Sequence, residues 1–257
     1  MNTDFIPAAT LVIMREKAGA APELLMIERA RQMVFAGGAL VFPGGRIDPG
    51  DHAIAATPEL LASGAPFSPD DAAARVAAIR ETIEEVGIAI ALDPVPTAAA
   101  VAQLRAALAE GGDFAALLAS AGYRLDLNGL APFARWRPNM PEARIFDTRF
   151  YIVSAPEGAT ADADGSESVR SLWISAASAL ADADQGHHRI IFPTRRNLER
   201  LAGFATLEEA IAHAARYPCV DPITPWIEDR EGKPWLCIPE DRGYPVTSEL
   251  LAIARRR

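Results

Sequence analysis

The stretch VFPGGRIDPGD, Val41 to Asp51, places two glycines after a proline and then three charged residues among the next six. Gly, Pro and Asp are the residues that tight turns recruit, so this composition fits a hairpin turn. The same residues would also suit half of a phosphate-handling site. The rest of the chain decides between these interpretations.

The chain has 257 residues, half of them hydrophobic, and a net charge of −9. This length is enough for one large domain or for a domain with an insertion. The negative charge argues against nucleic acid or an anionic membrane surface as a partner. It is compatible with a phosphorylated small-molecule substrate, because acidic residues can hold divalent cations that receive phosphates.

The N-terminal segment MNTDFIPAATLVIM carries an acid before its apolar run and no basic segment. A secretory signal is therefore not expected, and no charge-free apolar run reaches the roughly 18 residues of a membrane span. Cys219 and Cys237 form no CxxC motif and are expected to be free thiols. We expect a cytoplasmic protein.

Several apolar runs predict β-strands. Residues 8–14 (AATLVIM) and 23–27 (ELLMI) are separated by a turn-forming stretch, and residues 144–153 (RIFDTRFYIV) are typical of a central strand. VRSLWI, residues 169–174, predicts a further short strand. Residues 52–67 show no period and are interpreted as a loop or short irregular insertion.

The segment from Ser68 predicts a helix of about 18 residues. Ser68 is a suitable N-cap, Pro69 suits the first helical position, and Gly87 is placed to end the helix. Between them runs an apolar stripe spaced three, four and three residues apart, formed by Val76, Ile79, Ile83 and Val86.

Further helices are predicted on both sides of residues 144–153. Residues 97–121 are rich in Ala and Leu and are broken at Gly111–Gly112, which indicates a helical insertion at about 93–125. Residues 189–216 predict helices in the C-terminal part. The segments together predict a single domain over 1–257, with insertions at about 52–67 and 93–125.

RETIEEVGI, Arg80 to Ile88, puts three acids on the predicted helix. Glu81 and Glu85 lie one turn apart, with Cβ atoms about 6 Å apart, and Glu84 lies beside them. One interpretation is a solvated helix face with an Arg80–Glu84 ion pair. The alternative is a site for Mg²⁺, because a divalent cation relieves the repulsion among carboxylates and prefers oxygen ligands.

PGGRIDPGD followed by RETIEEVGI resembles the signature of the Nudix hydrolases, Gx5Ex7REUxEExGU with U aliphatic. Gly45 matches the first glycine, and the second half matches in register at Arg80, Glu81, Glu84, Glu85, Gly87 and Ile88. The resemblance implies an α/β fold: an α/β/α sandwich with a mixed sheet, here with a helical insertion and a helical C-terminal part.

Three positions depart from the pattern. Asp51 stands where the pattern has Glu, which keeps the charge and shortens its reach. Thr82 replaces an aliphatic residue. The third departure is in spacing, since 28 residues, 52 to 79, separate Asp51 from Arg80 where the pattern has seven. A loop of this length costs little entropy if its ends stay close.

The resemblance implies Mg²⁺-dependent hydrolysis of a nucleoside diphosphate linked to another group, with Mn²⁺ as a substitute. Glu81 and Glu85 would be metal ligands and Glu84 a further ligand or the acid on the base side. The Gly44 carbonyl would complete the metal shell, and Asp51 would be an outer or second-metal ligand. Arg80 would orient Glu81. Nudix relatives are often dimers, so a homodimer is one expectation.

The long insertion resembles the coenzyme A diphosphatase branch of this family. WRPN (136–139), RIFDTRFY (144–151) and FPTRRNLERLA (192–202) extend the resemblance over most of the chain. The first substrate to expect is therefore coenzyme A or an acyl-CoA. ADP-ribose, NADH, a nucleoside triphosphate and a catalytically silent nucleotide sensor remain alternatives, the last because Asp51 departs from the pattern.

Three further residues are candidates outside the motif. Glu167 stands where Nudix proteins often place an additional acidic ligand or base, and a solvated loop acid is the alternative. Arg144 and Arg149 lie on the predicted central strand, where alternation would direct one of them to a substrate phosphate. Pairing with Asp147 or Glu142 is the structural alternative for these arginines.

Overall fold

The computed structural model describes residues 5–32, 36–64, 66–138, 145–165 and 168–254. The first two strands, β1 (Ile6–Arg15) and β2 (Glu23–Arg29), form an antiparallel pair. Consecutive residues at their centres are buried on both faces of the sheet, as at Leu11–Met14 and Leu24–Ile27. A strand covered on both faces is a continuous apolar run, which explains why these segments lack alternation.

The remaining elements follow in chain order. They are β3 (Leu40–Val41), β4 (Gly44–Arg46), α1 (Pro49–Ala55), α2 (Pro69–Val86), β5 (Leu92–Asp93), α3 (Ala98–Ala109), α4 (Phe114–Ala121), β6 (Arg124–Leu125), β7 (Ala131–Trp136), β8 (Phe146–Ser154), β9 (Ser168–Ser175), α5 (Ala176–Asp184), α6 (Phe192–Leu201), α7 (Leu207–Ala215), β10 (Trp226–Arg230), β11 (Lys233–Cys237), β12 (Ser248–Leu250) and α8 (Leu251–Ala254).

Seven strands form one mixed sheet. Its main order is β3-β2-β1-β8-β7, with β4 paired to β1 and β9 paired to β2. The β1–β8 pair is parallel and the other pairs are antiparallel. One hydrophobic core lies between the sheet and α2, and a second lies between the sheet and α5, α6 and α7. This arrangement confirms the predicted α/β fold with a mixed sheet between helices.

Helix α2 has the limits that the sequence predicts. The Ser68 hydroxyl accepts a hydrogen bond from the Asp71 N–H, and Gly87 adopts the left-handed conformation at the C-terminal end. The four residues of the apolar stripe are all buried in the core. Thr82 is buried as well, and its hydroxyl donates to the Ala78 carbonyl at 2.7 Å, so it is accommodated without an unpaired polar group.

The first of the two insertions contains more regular structure than the sequence predicts. Residues 52–55 were expected in a loop, yet they complete α1, which starts at Pro49 and is followed by a short 3-10 turn at 58–60. The second insertion contains α3 and α4, with Gly111–Gly112 between them as predicted. Residues 52–55 are helical because a capping box formed by Asp48 and Asp51 starts α1 within the turn-like sequence.

The C-terminal part contains the predicted helices and also a sheet that the sequence analysis missed. β10, β11 and β12 form a separate three-stranded antiparallel sheet. Every residue of β10 is exposed, so the strand has no apolar alternation to reveal it. Among the described residues, none of the helices combines the length and apolar character needed to cross a bilayer.

Candidate active site

The glycine turn lies directly against the acids of α2. The Gly44 N–H donates a hydrogen bond to Glu85 Oε2 at 2.8 Å. A Cβ atom on Gly45 would lie 2.4 Å from the Glu81 carboxyl carbon, and one on Gly44 would lie 2.3 Å from the Ala9 carbonyl oxygen. At Gly44 a side chain would clash with the backbone of β1, and at Gly45 it would displace the Glu81 carboxylate. The glycines therefore allow the turn to fit between β1 and the acidic face of α2.

Arg80 is the group that connects the acids. Its Nε and Nη2 atoms donate to the two oxygens of Asp51, both at 3.0 Å. Its Nη1 atom donates to Glu81 at 2.8 Å and to Glu84 at 3.3 Å, and Nη2 also reaches the Arg46 carbonyl at 3.1 Å. The guanidinium fork thus fixes the turn, α1 and α2 in one network.

Asp51 is buried and is held by Arg80 and by the start of α1. It is 1% exposed, and both of its carboxylate oxygens accept from Arg80. One of them also accepts from the Asp48 N–H at 2.8 Å, as the acid of the α1 capping box. Helix α1 brings this residue close to α2, which explains why an aspartate is long enough to reach Arg80.

Glu81 and Glu84 are less easily ionised in this site than in water, chiefly because they are buried. Burial raises the pKa of Glu81 to about 7; Arg80 opposes this rise and Glu84 adds to it. Burial also raises the pKa of Glu84, again against Arg80. Burial would lower the pKa of Arg80, but its bonds to Asp51 and the charges of Glu81 and Glu84 raise it. A bound cation would relieve this accumulation of charge.

The donors at this site are chemically suited to a hard divalent cation. Glu81, Glu84 and Glu85 are partly or largely shielded from solvent, with side chains 16%, 32% and 5% exposed. Carboxylate oxygens are the ligands that Mg²⁺ prefers. Within the described residues no three acidic, histidine or cysteine side chains are arranged ready for a metal. Arg80 explains this, because it draws the Glu81 and Glu84 carboxylates toward itself.

The acids open into a long cleft of about 1530 Å³. Besides Arg80, three arginines line it: Arg29, Arg46 and Arg105. Arg29 Nη1 lies 3.7 Å from Glu85 Oε1. One wall is aromatic and contains Phe42, Trp136, Phe146 and Phe150. Another wall is the exposed side of α3, where the cleft contacts Ala98, Val101, Ala102, Ala106 and Ala109.

Solved structures resemble this arrangement, although no protein-family model matches the chain. A Nudix hydrolase from Alicyclobacillus acidocaldarius is 29% identical, with a TM-score of 0.72, over 86% of this chain and 100% of that one. The fold is that of a Nudix-type hydrolase. A MutT protein from Methanosarcina mazei is 13% identical (TM-score 0.43; 78% of this chain, 95% of that one). A C. elegans Ap4A hydrolase is 17% identical (TM-score 0.41; 77% and 99%).

The Nudix motif is thus brought together across its long insertion. The structure places Gly44, Gly45, Arg80, Glu81, Glu84 and Glu85 together in the lining of the cleft. The insertion begins after Asp51 in α1, the chain enters α2 through the Ser68 cap, and α1 packs against α2. Arg80 joins the two halves through Asp51, so the register of the motif is kept although 28 residues intervene.

The candidates outside the Nudix motif have different outcomes. Arg149 does not line the cleft; the cleft contacts Thr148 and Phe150, and strand alternation directs Arg149 to the opposite face of β8. The alternative pairing with Asp147 is not seen either, because Asp147 accepts from Arg135 at 2.8 Å. Arg144 and Glu167 lie outside the described residues.

Sequence reasoning missed the other arginines of the cleft. Arg29 ends β2, Arg46 ends β4 and Arg105 belongs to the helical insertion. Arg29 and Arg105 belong to no motif, and the three arginines meet only because the strands and α3 converge on the acids. A signal existed for Arg46, which directly follows the glycine pair in the opening stretch.

Proposed function

We propose that the chain hydrolyses a diphosphate linkage in a nucleoside diphosphate derivative, with Mg²⁺ as its cofactor and Mn²⁺ as a substitute. One observation carries this proposal. Glu81 and Glu85 are held against the glycine turn and Glu84 is held by Arg80, in the lining of a cleft that also contains further arginines. Such a site offers oxygen ligands for a cation and positive side chains for phosphate oxygens.

Glu81, Glu84 and Glu85 would hold the cation, together with the Gly44 carbonyl. When bound, the cation would supply charge neutralisation at the diphosphate and a more acidic bound water. Glu84 has the most exposed side chain of the three, which suits it to accept a proton from the attacking water. Arg80 would keep Glu81 and Glu84 oriented, and Arg29 and Arg46 would contact the phosphates.

Coenzyme A or an acyl-CoA is the first substrate that we propose. The cleft exceeds the roughly 300–1,000 Å³ of an ordinary small-molecule site, which favours a long ligand. Its aromatic wall suits a nucleobase, and its α3 wall of small apolar residues suits an extended, weakly polar arm. ADP-ribose, NADH and a nucleoside triphosphate share the diphosphate and the base but lack such an arm.

A nucleotide sensor without activity is the alternative from another class. The sensor is an alternative because Asp51 departs from the motif. The bidentate contact of Asp51 with Arg80 favours the enzyme, since the shorter acid still holds the arginine that orients Glu81 and Glu84. Homodimer formation and a cytoplasmic location stay predictions.

A substrate panel tests the proposal. Coenzyme A, an acyl-CoA, ADP-ribose, NADH and a dinucleoside polyphosphate are each incubated with the protein in Mg²⁺ and in EDTA, and the phosphorylated products are separated. We expect turnover in Mg²⁺ that EDTA abolishes, with coenzyme A or acyl-CoA turned over best. Ligand binding without products from any substrate would favour the sensor instead.

A further inference from the structure

The C-terminal turn of α2 carries two of the three acids, Glu84 and Glu85. The last four carbonyls of a helix have no partner within it and must be satisfied elsewhere. Here all four have a donor. Ile83 O accepts from the Gly87 N–H, and Val86 O accepts from the Asp162 N–H at 3.2 Å. The other two, on Glu84 and Glu85, accept from the same side chain.

That side chain is Arg105 of α3. Its Nε atom donates to Glu84 O and its Nη2 atom to Glu85 O, both at 3.0 Å. The guanidinium also packs on Gly87, where an added Cβ would lie 3.1 Å from Nη1. Two parallel donors in a fixed fork match two successive carbonyls, which a lysine cannot do. A cation at this end also interacts favourably with the helix dipole.

Arg105 is itself held in place by the insertion. Leu104, next to it in α3, and Leu108, one turn on, are buried in the core that α2 shares. The side of α3 that carries Arg105 also faces the cleft. The helical insertion therefore supports the acidic turn and forms a wall of the substrate cleft at the same time.

We propose that Arg105 is a positioning residue for the metal-binding acids. By capping the last turn of α2 with two hydrogen bonds, it keeps Glu84 and Glu85 directed toward the cleft. The inference rests on the proposed function, in which these acids hold the cation. It adds that the insertion, and not the Nudix motif alone, determines how well they do so.

Removal of Arg105 changes divalent-cation affinity in opposite directions depending on its role. One role is an effect of its charge alone, and the other is to position the acids. Loss of a positive charge near a cation site would by itself tighten divalent-cation binding. Loss of the two hydrogen bonds frees the turn and weakens binding, because both acids must then be ordered by the metal. The sign of the change in affinity therefore distinguishes the two roles.

The experiment measures Mn²⁺ binding to the substrate-free protein by electron paramagnetic resonance. Arg105→Ala is expected to weaken binding about tenfold, as loss of an outer-shell partner does. Arg105→Lys keeps the charge without the fork and should recover only part of this loss. Arg124→Ala is the matched control, since Arg124 belongs to the same insertion and donates its hydrogen bond to the exposed Asp93 instead of to the acidic turn. It should bind Mn²⁺ like the wild type.

Each outcome decides something. Unchanged or tighter Mn²⁺ binding by folded Arg105→Ala would overturn the positioning role while leaving the proposed function intact. Wild-type protein that binds no Mn²⁺ would overturn the proposed function and this inference with it. If Arg105→Ala does not fold, as judged by circular dichroism, Arg105→Lys and Arg105→Gln are compared instead. Wild-type affinity in both of these would also overturn the role.

Discussion

Asp51 and Arg80 show how far single residues could be predicted. The sequence identified both as parts of the site, and the structure brings them together as a buried bidentate pair. The sequence did not reveal that Asp51 both accepts hydrogen bonds from Arg80 and forms the α1 capping box, because residues 52–55 of α1 were expected in a loop. The role of Asp51 depends on α1, a helix that the local sequence did not predict.

Asp51→Asn tests that role. The amide oxygen of Asn can still accept one hydrogen bond from Arg80. The amide NH₂ group cannot accept the other, so one buried N–H of Arg80 loses its acceptor. We expect the free energy of unfolding in urea, without metal, to fall by about 1–3 kcal/mol. Asp48→Asn is the control: Asp48 Oδ2 also lies 3.6 Å from Arg80, but its side chain is 60% exposed, so this ion pair contributes little, and Asn is equally suitable as the N-cap. Equal stability of the two variants would contradict the buried pairing.

At the scale of elements, prediction succeeded where the signals are local. The capping residues and the apolar period of α2 set its limits at Pro69 and Val86. β10 and β11 were missed because β10 is exposed throughout and their turn uses Glu231–Gly232, both with positive φ, instead of the usual Asn-Gly. Exposed strands of this kind form because they pair with a neighbouring strand, and the sequence of one segment alone does not predict that pairing.

Ser68→Ala tests whether the cap contributes to the stability of α2. Its hydroxyl accepts from the Asp71 N–H at 3.3 Å, and its removal should cost about 1 kcal/mol of unfolding free energy. Ser68→Asn should retain most of this stability. The acids lie at the other end of the helix, so Mg²⁺-dependent turnover of folded protein should be unchanged. An unaltered unfolding free energy in Ser68→Ala would exclude the cap as a stabilising contact.

At the scale of the whole molecule, the cleft could not be predicted from the sequence. It is formed by elements remote along the chain, including β1, α2, α3, β8 and α6. The motif predicted the acids in its lining, but Arg29, Arg46 and Arg105 reach it only through tertiary packing. The insertion inside the motif completes α1, which holds Asp51 at the site, and the second insertion supplies α3, which caps α2.

The most direct test of the central claim is Mg²⁺-dependent turnover by Glu85→Gln on the best substrate of the panel. The amide oxygen can still accept from the Gly44 N–H, so the fold should be retained while the anionic ligand is lost. We predict a fall in kcat of at least about 100-fold. Glu59→Gln, at an exposed acid in the 3-10 turn, should be fully active. Full Mg²⁺-dependent turnover by Glu85→Gln would contradict the account.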